Sequence, residues 1–181
     1  MQYGPRTPAF DEPAISMGWP MRWLAPGDAD QVAAVYRDAV LSQTQGLYSE
    51  AQTRAWSQVA QEPAFRAMLK RGLGLASCSG SDLSSIEAFA LLEPGDRLSL
   101  LYCRGRVSRQ GRANALLERL EHHARGCGCK QLHTEASQLS RPLLLRRGWV
   151  TAAAEVVVFA GVSFQRWRMI KPLTSIGFRH G

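Results

Sequence analysis

The sequence predicts an α/β fold: one domain in which a mixed, mostly antiparallel sheet of six or seven strands is flanked by helices. Three observations carry that prediction. From Leu73 to Cys103, short apolar runs separated by Gly-Ser or Pro-Gly turns replace the helical spacing seen upstream, which is the pattern of an antiparallel meander. From Arg104 to Arg125 an arginine-rich, glycine-containing loop opens into an amphipathic helix, and a further strand, Gln131 to Ser137, follows. Such a strand–helix–strand crossover sets its two strands parallel. A length of 181 residues with a 45% hydrophobic fraction fits one domain with a substantial core.

The elements follow in order. Residues 1–20 hold Pro5, Pro8, Pro13 and Pro20 with little periodicity and read as an N-terminal extension. The domain proper is expected over 21–173. Met21 to Leu24 reads as a short first strand, and Asp28 with Gln31 has the spacing of a capping box for a helix from about Ala29 to Ser42. Ser49 with Gln52 starts a second helix, which carries Trp56; Glu62-Pro63 with Phe65, Met68 and Leu69 starts a third. These helices are expected to cover one face of the sheet. Gly74 to Cys78, Ile86 to Leu92 and Leu98 to Cys103 are the strands of the meander. In the main helix Ala113, Leu116, Leu117, Leu120 and Ala124 share one face, Glu118, Arg119, Glu121, His122 and Arg125 lie mostly on the other, and Gly126 is the expected stop. Glu155 to Phe159 and Val162 to Ile170 read as strands joined around Ala160-Gly161, and residues 174–181 as a basic tail.

Composition excludes some functions and leaves others open. No apolar run approaches the roughly 20 residues that span a bilayer, and the N-terminus lacks a basic region ahead of a long apolar segment. A cytoplasmic protein without membrane partners is expected. Cys78, Cys103, Cys127 and Cys129 form no paired Cys-x-x-Cys units and none sits beside a histidine at zinc-finger spacing, so reduced thiols and no metal are expected. The formal charge of +7 suits a polyanionic ligand, and by itself would suit nucleic acid equally. No aromatic residue interleaves with the arginines of residues 104–112, where a single-strand binder would stack bases, so nucleic acid is the weaker reading.

The loop ahead of the main helix carries the chemistry. Within Gln110-Gly111-Arg112-Ala113-Asn114-Ala115, small residues stand where the helix begins, so main-chain N–H groups can approach a ligand closely. The first amides of a helix have no partner within it and the helix dipole adds partial positive charge, which favours an anion such as phosphate. Arg104, Arg106, Arg109 and Arg112 add formal charge.

This stretch resembles the acetyl-CoA-binding motif of the GCN5-related N-acetyltransferases, the GNAT superfamily. Gln110 and Ala115 fit the family pattern, with Ala113 at the usual first glycine. Arg97 to Cys103 is similar to the family's fourth strand, Gln131 to Ser137 to its fifth, and Arg141 to Trp149 to its short helix ending in Gly-Phe. The resemblance runs from about Met21 to Leu173. It implies a single-domain GNAT-type fold that binds acetyl-CoA as co-substrate, with Leu101, Tyr102 and Cys103 along the pantetheine arm. Arg109, Gln110, Gly111, Arg112, Ala113, Asn114 and Ala115 would surround the pyrophosphate. It also implies that a primary amine, from a small molecule or a protein, attacks the thioester directly without an acyl-enzyme.

Residues for the rest of the reaction are read from alternation and position. Alternation puts His133, Glu135 and Ser137 on one face of the fifth strand; His133 and Glu135 are the candidate bases, with mutual satisfaction among polar neighbours as the competing reading. Tyr48 and Trp56, near the first two helices, are candidates for the acceptor site, with core packing as the alternative. Where many family members supply a tyrosine to protonate the departing thiolate, this sequence has Leu144; Tyr102 or Ser140 would have to substitute. Leu144 and Ala113 recommend a rival class, a CoA or acyl-CoA sensor without turnover. A homodimer is left open.

Overall fold

The computed structural model describes residues 18–173; the basic tail and the extension up to residue 17 lie outside the described residues. The elements are β1 (Met21–Trp23), α1 (Ala29–Gln43), α2 (Glu50–Gln58), α3 (Pro63–Arg71), β2 (Leu73–Ser79), β3 (Ser85–Leu92), β4 (Leu98–Cys103), α4 (Arg112–Gly126), β5 (Gln131–Ala136), α5 (Arg141–Arg146), β6 (Val150–Phe159) and β7 (Val162–Pro172).

Of the six or seven strands expected, seven form, divided between two antiparallel sheets. One has the order β1-β2-β3-β4 and the other β5-β7-β6. The expected parallel contact of β4 with β5 shrinks to a single bridge, Arg97 with His133. Two further bonds hold it: His133 N–H to the Asp96 carbonyl at 3.0 Å and Thr134 Oγ1 to the Leu98 carbonyl at 2.6 Å. Just beyond, Leu100 pairs with Leu91 but Leu98 with Leu92, so Ser99 is an extra residue in β4. A bulge of this kind bends and twists its strand, and here β4 leaves β5 at that point. The sheet therefore opens into a cleft.

Each face of the first sheet has its own core. On one side Ala88 and Ala90 of β3 let α4 approach, and Leu116, Leu117 and Leu120 are fully buried there. Burying each such leucine stabilises by about 1.5–3 kcal/mol. On the other side Phe89 and Leu91 meet Val32, Val35 and Tyr36 of α1 and Phe65 of α3. Alternation along β3 thus divides its residues between two helical layers.

Local signals explain most boundaries. Ser49 and Gln52 cap α2 reciprocally, Gln52 N–H to Ser49 Oγ at 3.2 Å and Ser49 N–H to Gln52 Oε1 at 2.9 Å. Asp28 and Gln31 do not pair in this way. Asp28 instead accepts a two-pronged bond from Arg22 (2.6 and 2.8 Å), which is stronger than a neutral cap, and Gln31 reaches across to Ser84, just before β3, and to Ile86 within it. Helix α4 ends at the expected Gly126, and the left-handed glycine that closes it is Gly128. Gly128 takes φ +80°, its N–H bonds the Arg125 carbonyl and Cys129 N–H bonds that of Ala124, a Schellman ending. Ala160 (φ +48°) and Gly161 (φ +75°) make the tight hairpin turn between β6 and β7. No helix among the described residues is long and apolar enough to cross a membrane.

Candidate active site

Where β4 and β5 separate, the molecule has a cleft of about 1410 Å³. Its walls are the free edge of β4, the end of β5 with α5, the start of α4, and an aromatic group contributed by α2 and the β6–β7 hairpin. Just after β4, Arg104 N–H bonds the Glu87 carbonyl of β3 at 2.9 Å. Antiparallel alternation then commits the main chain of Tyr102 and Leu100 to β3 and turns that of Leu101 and Cys103 toward the cleft. Gln43 of α1 reports the direction, since its Nε2 donates to the Cys103 carbonyl at 2.7 Å.

The front of α4 opens into the same cleft. Gly111 is the N-cap at φ +93°, a conformation that favours glycine, and no side chain caps the helix. The first intrahelical bond is Ala115 N–H to the Gly111 carbonyl at 3.0 Å, so the amides of Arg112, Ala113 and Asn114 have no acceptor within the helix. Gly111, Ala113 and Asn114 line the cleft, whereas Gln110 is exposed outside it and the Ala115 side chain is buried. A β-carbon on Gly111 would find only Trp19 Nε1, at 3.9 Å, so the cradle is open.

The four loop arginines have different fates. Arg104 Nε donates to the Ile86 carbonyl at 3.2 Å, and Arg106 pairs with the buried carboxylate of Glu87. Arg112 corrects the expectation of a phosphate contact from its side chain. The residue is 6% exposed, and its guanidinium donates to Ser77 Oγ (2.8 Å) and the Cys78 carbonyl (3.0 Å) and lies 4.0 Å from the Trp19 ring centroid. Arg109, exposed and at φ +60°, has no hydrogen bond or ion pair among the described residues.

At the other end of the cleft stand Tyr48, Trp56 and Phe164. Tyr48 and Trp56 meet edge to face with centroids 5.2 Å apart, and both lie 6.4 Å from Phe164. Trp56 Nε1 donates to the Tyr102 hydroxyl at 3.1 Å, and the Tyr48 hydroxyl accepts from Gln138 N–H at 3.0 Å. Burial pushes the phenols of Tyr48 and Tyr102 above their ordinary values. Tyr102 lines the cleft and packs against Tyr36 and Phe89 at the edge of the α1-side core. Ser140 exchanges bonds with Ser137, each N–H to the other's hydroxyl at 3.0 and 3.1 Å.

The two candidate bases separate. Glu135 lines the cleft, with both Nε (2.9 Å) and Nη2 (2.7 Å) of Arg97 on its Oε2. Burial pushes its carboxyl up, but the Arg97 hydrogen bonds and charge outweigh that and leave it below the ordinary value. His133 is not among the cleft residues. It sits at the bridge where β4 and β5 are still joined, half-exposed, its Nδ1 3.9 Å from Asp96. Leu144 is 1% exposed and belongs to the core, so α5 presents no proton donor at that position. Burial also pushes the Cys103 thiol up to about 11, which disfavours its thiolate.

Several residues of the site have no local sequence signal. Asp38 of α1 accepts the Gly105 N–H at 2.7 Å and so ties the arginine loop to the first helix. Arg97, Gln43 and Phe164 are likewise recruited across 38, 60 and more residues of chain. Only the fold brings them in. Among the described residues no group of three or more His, Cys, Asp or Glu side chains is placed to hold a metal.

A free strand edge beside a helix tip with unpaired amides, both opening into the split between two sheets, is the architecture of an α/β acyltransferase domain. A profile of the acetyltransferase (GNAT) domain matches residues 44–171, more than half of the chain. The chain belongs to the GNAT family of acetyltransferases. It is similar to a solved GCN5-related N-acetyltransferase from Rhodopseudomonas palustris at 26% identity, covering 90% of this chain and all of that one with a TM-score of 0.81. PaiA N-acetyltransferase from Thermoplasma acidophilum, solved with coenzyme A, shares the fold at 18% identity (86% and 99% covered, TM-score 0.62). So does YncA from Salmonella typhimurium, solved with acetyl-CoA, at 18% identity (87% and 95% covered, TM-score 0.58). No curated protein matches the sequence at a significant level.

Proposed function

We propose that the protein transfers an acetyl group from acetyl-CoA to the nitrogen of a primary amine by direct attack, as a cytoplasmic enzyme that needs no metal. One observation carries the reading: the amides of Arg112, Ala113 and Asn114, with no acceptor within their helix, and the outward main chain of Leu101 and Cys103 border one continuous cleft. The helix tip suits a diphosphate. Arg109 is the loop arginine with no hydrogen bond or ion pair among the described residues, and it would supplement those amides. The strand edge suits the amide-bearing arm of the carrier, held as an added strand would be.

When bound, acetyl-CoA supplies an activated acetyl group on a sulfur leaving group. The chain's own residues position, desolvate and polarise. A main-chain N–H of β4 next to the Ser99 bulge is the donor suited to the carbonyl oxygen on which charge develops. Glu135, held by Arg97, is a weak base, so the amine's proton leaves through solvent or through the polar group Ser137 and Ser140 at the end of β5. The high thiol pKa of Cys103 supports attack without an acyl-enzyme.

Calorimetry with acetyl-CoA, on the wild type and on Ala113→Asp, tests the binding half. An aspartate in the first turn favours the helix, yet it puts a like charge beside the diphosphate; the expected loss of affinity is about tenfold or more with stability retained. Equal binding by both proteins overturns the assignment. Free-thiol release with a panel of amines tests the transfer half. The burial of Leu144 where a proton donor is usual favours, as a second reading, a CoA-binding sensor, which the same assay would reveal as binding without thiol release.

A further inference from the structure

We propose that the acceptor is a primary amine carried on an aromatic or bulky apolar body, and that the cleft's aromatic end both binds this body and favours the uncharged amine. The proposal rests on the acetyl-transfer reading and names its second substrate.

The walls argue first. Tyr48, Trp56 and Phe164 form one cluster at the end of the cleft away from the helix tip, with Val59 and Val157 beside them. The polar atoms of Tyr48 and Trp56 are engaged by Gln138 and Tyr102. What these residues offer a guest is ring face, ring edge and methyl groups. Offset or edge-to-face contact with an aromatic guest adds to the gain from burial alone.

The charges argue second. Among the described residues lining the cleft, Glu135 is the only carboxylate, and Arg97 claims it. The cations are more numerous: Arg109 and Arg146 line the cleft, as does Arg166, which Glu155 holds. A polyamine or a lysine-rich tail would therefore find no free carboxylate and several like charges. A single amine on an apolar body avoids both costs.

The missing base argues third. An alkylammonium has a pKa near that of lysine, about 10.4, and burial in apolar surroundings lowers it. The pocket thus does part of what a general base does elsewhere, which fits a site whose one carboxylate is tied up. The neutral nitrogen gives its lone pair to the thioester carbonyl carbon; the new N–C bond forms as the C–S bond breaks. Sulfur leaves with the bonding pair and takes up the proton that nitrogen loses, so the products are an N-acetyl amide and a free thiol.

The test is calorimetric titration of the CoA-saturated protein with tryptamine, spermidine, lysine amide and choline, alongside thiol release from acetyl-CoA with the first three. Tryptamine is expected to bind at least about tenfold more tightly than the others, and Phe164→Ala and Trp56→Ala to weaken it by about tenfold while each keeps its acetyl-CoA affinity. Circular dichroism and acetyl-CoA binding identify a variant that has failed to fold, and the other variant then decides. Spermidine, lysine amide or choline binding as well as tryptamine would overturn the proposal, as would unchanged tryptamine affinity in both folded variants. Tryptamine that binds tightly without releasing thiol supports the pocket and brings down the transfer reading instead.

Discussion

The indole N–H of Trp56 is bonded at 3.1 Å to the hydroxyl of Tyr102, so α2 is fastened to β4 at the cleft. The same indole meets Tyr48 edge to face. One side chain therefore fixes the floor of the cleft and part of its wall.

Replacing that donor while keeping an aromatic ring isolates the bond. Trp56→Phe is expected to lower stability by about 1 kcal/mol, the net value of a partly buried hydrogen bond, with acetyl-CoA affinity unchanged. Urea denaturation read by far-UV circular dichroism measures the first, calorimetry the second. A loss of acetyl-CoA affinity larger than tenfold would mean that Tyr102 is positioned by this bond for the donor.

The Arg97–Glu135 pair gives a pH dependence of defined sign. Glu135 titrates below its ordinary value in the fold, so the unfolded chain binds more protons between the two values and stability rises with pH there. Its contribution is complete above about pH 5 and is lost as pH falls through the ordinary glutamate value of about 4.3 toward the folded one. Both side chains are partly exposed, at 32% and 21%, so under about 1 kcal/mol is expected. Denaturation midpoints from pH 3 to 7 should fall more steeply for the wild type than for Arg97→Met; parallel curves would refute the coupling.

Glu121 is a buried carboxylate with work to do. It is 4% exposed and accepts from Trp149 Nε1 at 2.9 Å and from Arg147 at 3.3 Å. Glu121→Ala leaves the indole N–H and a cation without their acceptor and is expected to destabilise by about 3–5 kcal/mol. Glu121→Gln, which still accepts from Trp149, should lose less than half of that in the same urea assay. Equal losses would show that charge, and not the indole bond, is what matters.

Thiol reactivity should rank the cysteines by burial. Cys127 is exposed, while Cys103 has its thiol pushed up to about 11. Iodoacetamide at about pH 7.5 should therefore label Cys127 at least about 100-fold faster than Cys103, read by peptide mass spectrometry. Rapid labelling of Cys103 would reopen the acyl-enzyme route.

The legible parts of this chain were those set by neighbours in sequence. The meander, the long helix and the hairpin turn at Ala160-Gly161 all follow from periodicity and turn residues, and all formed within a few residues of expectation. The cleft was not legible, because it depends on one extra residue, Ser99, whose effect appears only when β4 pairs with β3. Nor could composition tell the arginines apart. Whether a guanidinium faces a ligand or the interior depends on what packs beside it, and Arg112 turned inward because Ser77, Cys78 and Trp19 supply its partners from elsewhere in the chain. Glu121 fell on the expected polar face of its helix, yet Trp149 drew it into the core. The fate of Glu135 was hidden for the same reason, since its partner lies 38 residues away.

The single bridge between Arg97 and His133 leaves the two sheets nearly independent in their main-chain pairing. The open tip of the crossover helix belongs to the first sheet, whereas Phe164 is carried by the hairpin of the second. On the proposed reading, selection can therefore rebuild the lip that chooses a nucleophile without unsettling the grip on the carrier, and one scaffold can drift among many acceptors while its donor stays the same.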